Sequence, residues 1–411
     1  MFNLVGNQDQ KPTKDSQPMK GDNQASALFY QTENCRTFVE EAFRFEGVEL
    51  SKSLAASDEN IGQFVRENRS QIILIELTES DDVTKDMQRI SNLLPNGLSV
   101  IVIGGEDTIH TVRNLKEMGF YYLYWPCTKQ EVIDFVNSVV TDGFNESLSR
   151  VRYAKRVAVL GVKGGVGTSL ITAELGKELS EKYNSSCLIV DRNFVGGNVD
   201  IMLGLKQFKK REVKSSEINA SFDESYTMSM TQPVNNLLSV LAIESEDLSE
   251  VELKEYIEIQ LETLATKSNF ILGDYSGSAS IKQDIKHIAK HADIILLVIE
   301  RSVSGLREAK RIKQLLEDHN STARCLYIVN NTRPQRVANV TMEEVDKHLQ
   351  QKVDVVCPFE PSLSLEVLKG KGIYNADLKI SESINQITAL LLGESREPAK
   401  KNLLNRLFAR G

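Results

Sequence analysis

At 411 residues the chain is long enough for two domains with sizeable cores, and 57 acidic against 49 basic side chains leave it at −8 at pH 7. That balance argues against a general nucleic-acid surface, which needs a dense basic patch to release counterions. The five cysteines (Cys35, Cys127, Cys187, Cys325 and Cys357) form no Cys-x-x-Cys pair, which points to a reducing compartment without disulfides or a metal cluster. No apolar run approaches the ~18 residues of a membrane span, and no secretory leader is visible. The expected compartment is the cytoplasm.

Residues 1–24, rich in Gln, Lys, Asp and Pro, lack the apolar surface to order themselves and read as a disordered N-terminus. Residues 25–142 read as an α/β unit. Apolar runs at 27–30, 71–77, 98–104 and 121–126 suggest strands with helical patterns between them, and Thr128-Lys129-Gln130-Glu131 opens a closing helix in capping-box style. This order resembles a response-regulator receiver domain with a flavodoxin-like doubly wound sheet. The receiver chemistry is missing, however. Glu76 occupies the strand end where the phospho-accepting Asp would sit, Gln31-Thr32-Glu33 replaces the acidic pair, and Trp125 replaces the Lys before Pro126. The resemblance therefore implies an atypical, protein-docking unit, followed by a linker at 143–154.

A second α/β unit, residues 155–393, opens on the most informative segment of the chain. An apolar strand at 156–160 leads into Lys163-Gly164-Gly165-Val166-Gly167-Thr168-Ser169, and a helical pattern follows from Leu170. Strand, glycine loop and helix aim successive backbone N–H groups and a helix N-terminus at one anion. The ordinary loop carries Lys where Thr168 stands. Later strands end in Asp191, Asp274 and Asn330, and strand carboxyl ends line the ligand crevice of an open α/β sheet. The run Lys206-Gln207-Phe208-Lys209-Lys210-Arg211 reads as a solvated loop.

These residues resemble the MinD/ParA group of deviant-Walker P-loop ATPases, whose early signature Lys crosses a dimer interface. The likeness extends to Gly197-Asn198-Val199-Asp200-Ile201-Met202-Leu203-Gly204, to Pro358-Phe359-Glu360-Pro361-Ser362 and to Lys371-Gly372. It implies ATP and Mg²⁺ as ligands and a homodimer formed through ATP. Lys163 becomes the intermolecular Lys, Gly164, Gly165, Val166, Gly167 and Thr168 the phosphate cradle, and Ser169 the Mg²⁺ ligand. Asp191 and Asp274 become catalytic carboxylates, Asp274 holding Mg²⁺ through water, with Asn330, Pro358 and Phe359 on the adenine side. Two departures imply slow or absent hydrolysis: Thr168 in place of the loop Lys, and Asn193 where a second Asp usually positions the attacking water.

A degenerate receiver joined to such an ATPase unit is similar to the TadZ/CpaE family of Tad (Flp-type) pilus localisation factors. The fold class expected is thus α/β, with a flavodoxin-like receiver-type domain followed by a MinD/ParA-type P-loop NTPase domain. The alternative is an actively cycling MinD/ParA-type ATPase that positions division, flagellar or DNA cargo. Residues 394–411 form a separate tail. At ~100° per residue, Leu403, Leu404, Leu407 and Phe408 share one face flanked by Lys401, Arg406 and Arg410. Such a basic amphipathic helix suits an anionic membrane surface. The expectation is a cytoplasmic protein held peripherally, and at a cell pole, on the inner membrane.

Overall fold

The computed structural model describes residues 26–47, 50–68, 71–144, 152–217, 223–276, 281–334, 340–370 and 372–393. The expected N-terminal disorder and the amphipathic tail, with Lys401, Leu403, Leu404, Arg406, Leu407, Phe408 and Arg410, lie outside the described residues, as does Lys371. Among those described, no helix is long and apolar enough to cross a membrane.

The first unit holds a parallel five-stranded sheet: β1 (Ser26–Tyr30), β2 (Leu50–Ala55), β3 (Ile72–Glu76), β4 (Ser99–Gly104) and β5 (Tyr121–Tyr124). Its order, β2-β1-β3-β4-β5, is the flavodoxin-like doubly wound order. The helices are α1 (Glu33–Phe45), α2 (Asp58–Glu67), α3 (Val83–Ser91), α4 (Ile109–Glu117) and α5 (Lys129–Phe144). Strand alternation sorts them onto two faces. Ala27, Phe29, Ile73 and Ile75 meet Ile61, Phe64, Met87 and Leu115 on one side. Leu28, Leu74, Ile101 and Ile103 meet Val39, Phe43, Val132 and Val136 of α1 and α5 on the other. Edge strand β2 goes unannounced in the sequence, because Leu50-Ser51-Lys52-Ser53-Leu54-Ala55 is too polar to read as a buried run. The capping box at Thr128 is present, with the Glu131 carboxylate accepting from the Thr128 N–H at 2.7 Å.

The second unit centres on eight strands: β6 (Lys155–Gly161), β7 (Cys187–Asp191), β9 (Thr231–Pro233), β10 (Leu238–Leu241), β12 (Phe270–Tyr275), β13 (Ile294–Ile299), β14 (Arg324–Asn330) and β15 (Val355–Cys357). They pair in the order β15-β14-β13-β6-β12-β7-β10-β9, all parallel except β9. The short strands β8 (Arg211–Glu212) and β11 (Ile243–Glu244) form a separate parallel pair. Helices α6 (Thr168–Glu181), α7 (Val199–Leu203), α8 (Glu224–Ser229), α9 (Glu250–Leu264), α10 (Ile281–His291), α11 (Val303–Asp318), α12 (Met342–Leu349), α13 (Leu363–Leu368) and α14 (Lys379–Leu392) connect and cover them. Helix α6 is buried from Thr168 to Ser180, its charged Glu174, Lys177 and Glu178 included. It packs with α14 on one face of the sheet, while Leu253, Tyr256, Ile257 and Leu261 of α9 cover Leu188, Val190 and Ile271 on the other.

The two units meet through polar side chains capped on backbone. Asn96 donates to the Ser268 carbonyl at 2.6 Å, Asn269 to Leu94 at 2.8 Å and Ser185 to Asn92 at 2.6 Å. Arg152, expected in a linker, is buried, donates to the Pro95 carbonyl and lies 5.1 Å over the Phe120 ring. The last linker residues are therefore part of the joint, since a buried guanidinium must find acceptors.

Candidate nucleotide site

Strand β6 ends at Gly161, and the chain turns through Val162–Val166 into α6 with Gly167 as N-cap. Gly167 has φ 95°, and a Cβ there would run into the Asn330 amide. Only glycine fits both conditions. Gly165 also has positive φ. The N-cap offers no side-chain acceptor, so the first N–H groups of α6 receive nothing from it. That leaves the end of the helix to an anion.

Below this loop lies a chain of buried polar atoms. The Ser169 hydroxyl donates to Asp274 Oδ2 at 2.7 Å, and Ser276 donates to the same oxygen at 3.1 Å. Asp274 Oδ1 is buried without a partner. Burial pushes the Asp274 carboxyl up to about 7, with the Asp191 charge adding to the effect and Ser169 opposing it. Asp191 is the register partner of Asp274 across β7 and β12. Burial raises its carboxyl too, against the charge of Lys210. Among the described residues no cluster of three or more His, Cys, Asp and Glu could hold a metal by itself. A hydroxyl beside a carboxylate with an idle oxygen nonetheless fits a Mg²⁺ that takes its other ligands from phosphate and water.

The remaining sequence-derived residues divide between two flanks. On the β13 side, the Lys163 ammonium pairs with Glu300 just past that strand. Asn330, expected at adenine, donates its amide hydrogen to the Val166 carbonyl at 2.8 Å and so braces the loop. Its neighbour Asn331 bonds the Cys357 carbonyl through N–H and side chain, at 3.0 and 2.8 Å. These bonds fix the turn that carries half-buried Pro358 and Phe359. Thr168 is 3% exposed, and its Oγ1 lies 2.5 Å from where a Gly161 Cβ would stand. It faces the strand backbone.

On the β7 side, Asn193 is occupied within its own loop: its N–H donates to Asp191 at 2.9 Å and its side-chain oxygen accepts from Gly196 at 3.1 Å. The solvated-loop reading of 206–211 fits Lys206, Gln207, Lys209 and Arg211, which are exposed, and is corrected at Lys210 alone. The Lys210 side chain is only 13% exposed and reaches Asp191 Oδ2 at 3.2 Å. Its ammonium also donates to the carbonyls of Asn193 and, at 2.7 Å, Gly196. Sequence reasoning missed it because β8, which anchors the run, is two residues long. It missed Glu300 and Ser276 for want of any motif around them. It also missed Glu174 of α6, which accepts from the Ile373 and Tyr374 N–H groups at 2.5 and 3.1 Å and fixes the segment after Gly372.

No protein-family model matches the chain. The septum site-determining protein MinD of Helicobacter pylori is 28% identical over 253 residues, covering 59% of this chain and 91% of that protein. An uncharacterised ATP-binding protein of Methanocaldococcus jannaschii is 24% identical over 234 residues, covering 53% and 90%. Among solved structures, the MinC:MinD cell division complex of Aquifex aeolicus aligns with 24% identity and a TM-score of 0.48, over 59% of this chain and 98% of that one.

Proposed function

From this kinship with the MinD/ParA-type P-loop ATPases, we propose that the chain binds ATP with Mg²⁺ and uses it to form a homodimer, with little or no hydrolysis. The observation that carries the reading is the Ser169–Asp274 pair with its idle buried oxygen, set under a loop that only glycines can form. Backbone N–H groups of Gly164–Thr168 would hold the phosphates, Ser169 and Asp274 the Mg²⁺, and Asn330, Pro358 and Phe359 the adenine side. Bound Mg²⁺ would neutralise phosphate charge and template its oxygens. Lys163, whose side chain is 44% exposed, must leave the more buried Glu300 to reach a partner's nucleotide.

Slow turnover follows from two positions. Thr168 brings no cation to the cradle, and Asn193 can orient a water but cannot take its proton. Losing one such group typically costs about 10²–10³ in rate. In the cell the chain would act as a TadZ/CpaE-like localisation factor for a Tad (Flp-type) pilus machinery. The first unit would be a degenerate receiver that docks protein partners, since Glu76 is fully buried beneath four donors. The tail would hold the dimer on anionic inner membrane, two tails binding where one is marginal.

Sedimentation with Mg²⁺-ATP tests the reading. Wild type should dimerise, Lys163→Ala should stay monomeric, and turnover should stay far below ~1 s⁻¹. A dimer in the mutant, or no nucleotide binding, refutes it. The likeness to MinD favours the second reading, an actively cycling positioning ATPase, and turnover at ~1 s⁻¹ or above would establish that one instead.

A further inference from the structure

The loop lacks its usual cation, yet the site is not without a lysine. Lys163 is held on the β13 flank by Glu300. Thr168 faces the backbone of Gly161. On the opposite flank, the Lys210 ammonium sits on Asp191, whose register partner Asp274 carries Ser169 at the mouth of the loop. We propose that Lys210 supplies, from the segment before β8, the positive charge that the loop lost at Thr168, and so makes the site prefer a nucleoside triphosphate over a diphosphate. The inference rests on the nucleotide-binding reading above and adds the residue that senses the terminal phosphate.

Three features support it. The Lys210 side chain is largely buried, so its ammonium is placed by the fold and does not sweep through solvent. Its anchors are two backbone carbonyls, Asn193 and Gly196, together with one carboxylate. A lysine that served only to neutralise Asp191 would not need the carbonyls, whereas they fix its height above the end of β7. The third feature is Gly197, with φ 136° and Asp191 Oδ2 only 2.6 Å from where its Cβ would stand. No other residue lets the backbone wrap so closely round Asp191, and this wrapping carries the Gly196 carbonyl to Lys210. With its three donors engaged by these three acceptors, Lys210 would act on a phosphate as a fixed point charge.

The test is calorimetric titration of the full chain with Mg²⁺-ATP, its non-hydrolysable analogue and Mg²⁺-ADP, so no turnover is needed. Lys210→Gln should weaken both triphosphates by about tenfold or more while ADP changes by no more than about twofold. Lys210→Arg should keep the triphosphate preference. Thr168→Lys placed on Lys210→Gln should restore it by returning the charge to the loop. Thermal melting checks that each variant is folded. Equal losses for ATP and ADP would make Lys210 a clamp of the 193–197 loop and overturn the proposal, as would unchanged ATP affinity. If wild type binds neither nucleotide, the nucleotide-binding reading falls, and that outcome is distinct from a failure of Lys210 alone.

Discussion

Replacing Asp274 by Asn should make the metal-free protein more stable at alkaline pH. In the unfolded chain this carboxyl titrates at about 3.9. In the fold, burial and the neighbouring Asp191 charge push it up to about 7. A carboxyl that holds its proton more tightly when folded favours the fold while protonated, so stability falls as pH rises from about 4 to about 7. The gap of about three pH units corresponds to ~4 kcal/mol at 1.36 kcal/mol per unit. Asn keeps the shape and can still accept from Ser169, while its NH₂ carries no charge into the position where Oδ1 has no partner. Urea unfolding in EDTA, followed by circular dichroism, should show the variant ahead by about 2–4 kcal/mol at pH 8 and level with wild type near pH 4. Mg²⁺ with ATP should recover wild type and leave the variant behind. A variant less stable than wild type at pH 8, or a difference that ignores pH, would show that the buried carboxylate is not held at a cost that only a cation relieves.

Glu76→Gln should destabilise the chain by about 1–3 kcal/mol. Its carboxylate accepts from the Gln31 and Thr32 N–H groups at 2.7 and 2.9 Å and from the Thr32 and Thr78 hydroxyls at 2.6 Å each, and an amide must turn a donor toward two of them. Urea midpoints equal to wild type would refute this. Burial alone would raise the Glu258 carboxyl, but the His287 hydrogen bond and the Arg192 charge hold it well below the usual carboxylate range. Its stabilisation is therefore present above about pH 4.3 and fades as pH falls below that. Glu258→Gln should cost about 3–5 kcal/mol at neutral pH by leaving Arg192 buried and unpaired, and a pH-independent melting curve in wild type would contradict the assignment. Deleting residues 394–411 should abolish flotation with anionic liposomes and leave ATP binding unchanged. Equal flotation of the truncated chain would put the membrane contact elsewhere.

What the sequence exposes and what it hides follow from range. The β6–loop–α6 unit is written in adjacent residues: an apolar strand, glycines where φ must be positive, then a helix buried on every side. Asp191, Asp274 and Asn330 are legible because each ends a short apolar run. Lys210 is not, because its placement depends on β8 pairing with β11, some thirty residues further on in the chain. Glu76 shows the same limit. Its identity shows only that no Asp stands at that strand end, whereas three of the four donors that bury it come from residues 31 and 32. Edge strand β2, half exposed along its length, carries no apolar signature at all.

The bonds at Asn269 have a mechanical consequence. Asn269 joins Leu94 of the first unit, and the next six residues are β12, which is buried throughout and laddered to β6 on one side and β7 on the other. Asp274 lies near its far end, about 17 Å away at ~3.3 Å per residue. A strand held on both edges moves as a rod, because bending it would break ladder bonds in pairs. Any load that tilts the first unit at Leu94–Asn96 therefore pushes on the same rod that carries the carboxylate beneath the phosphate loop. The joint at Asn269 and the carboxylate of Asp274 thus share one strand.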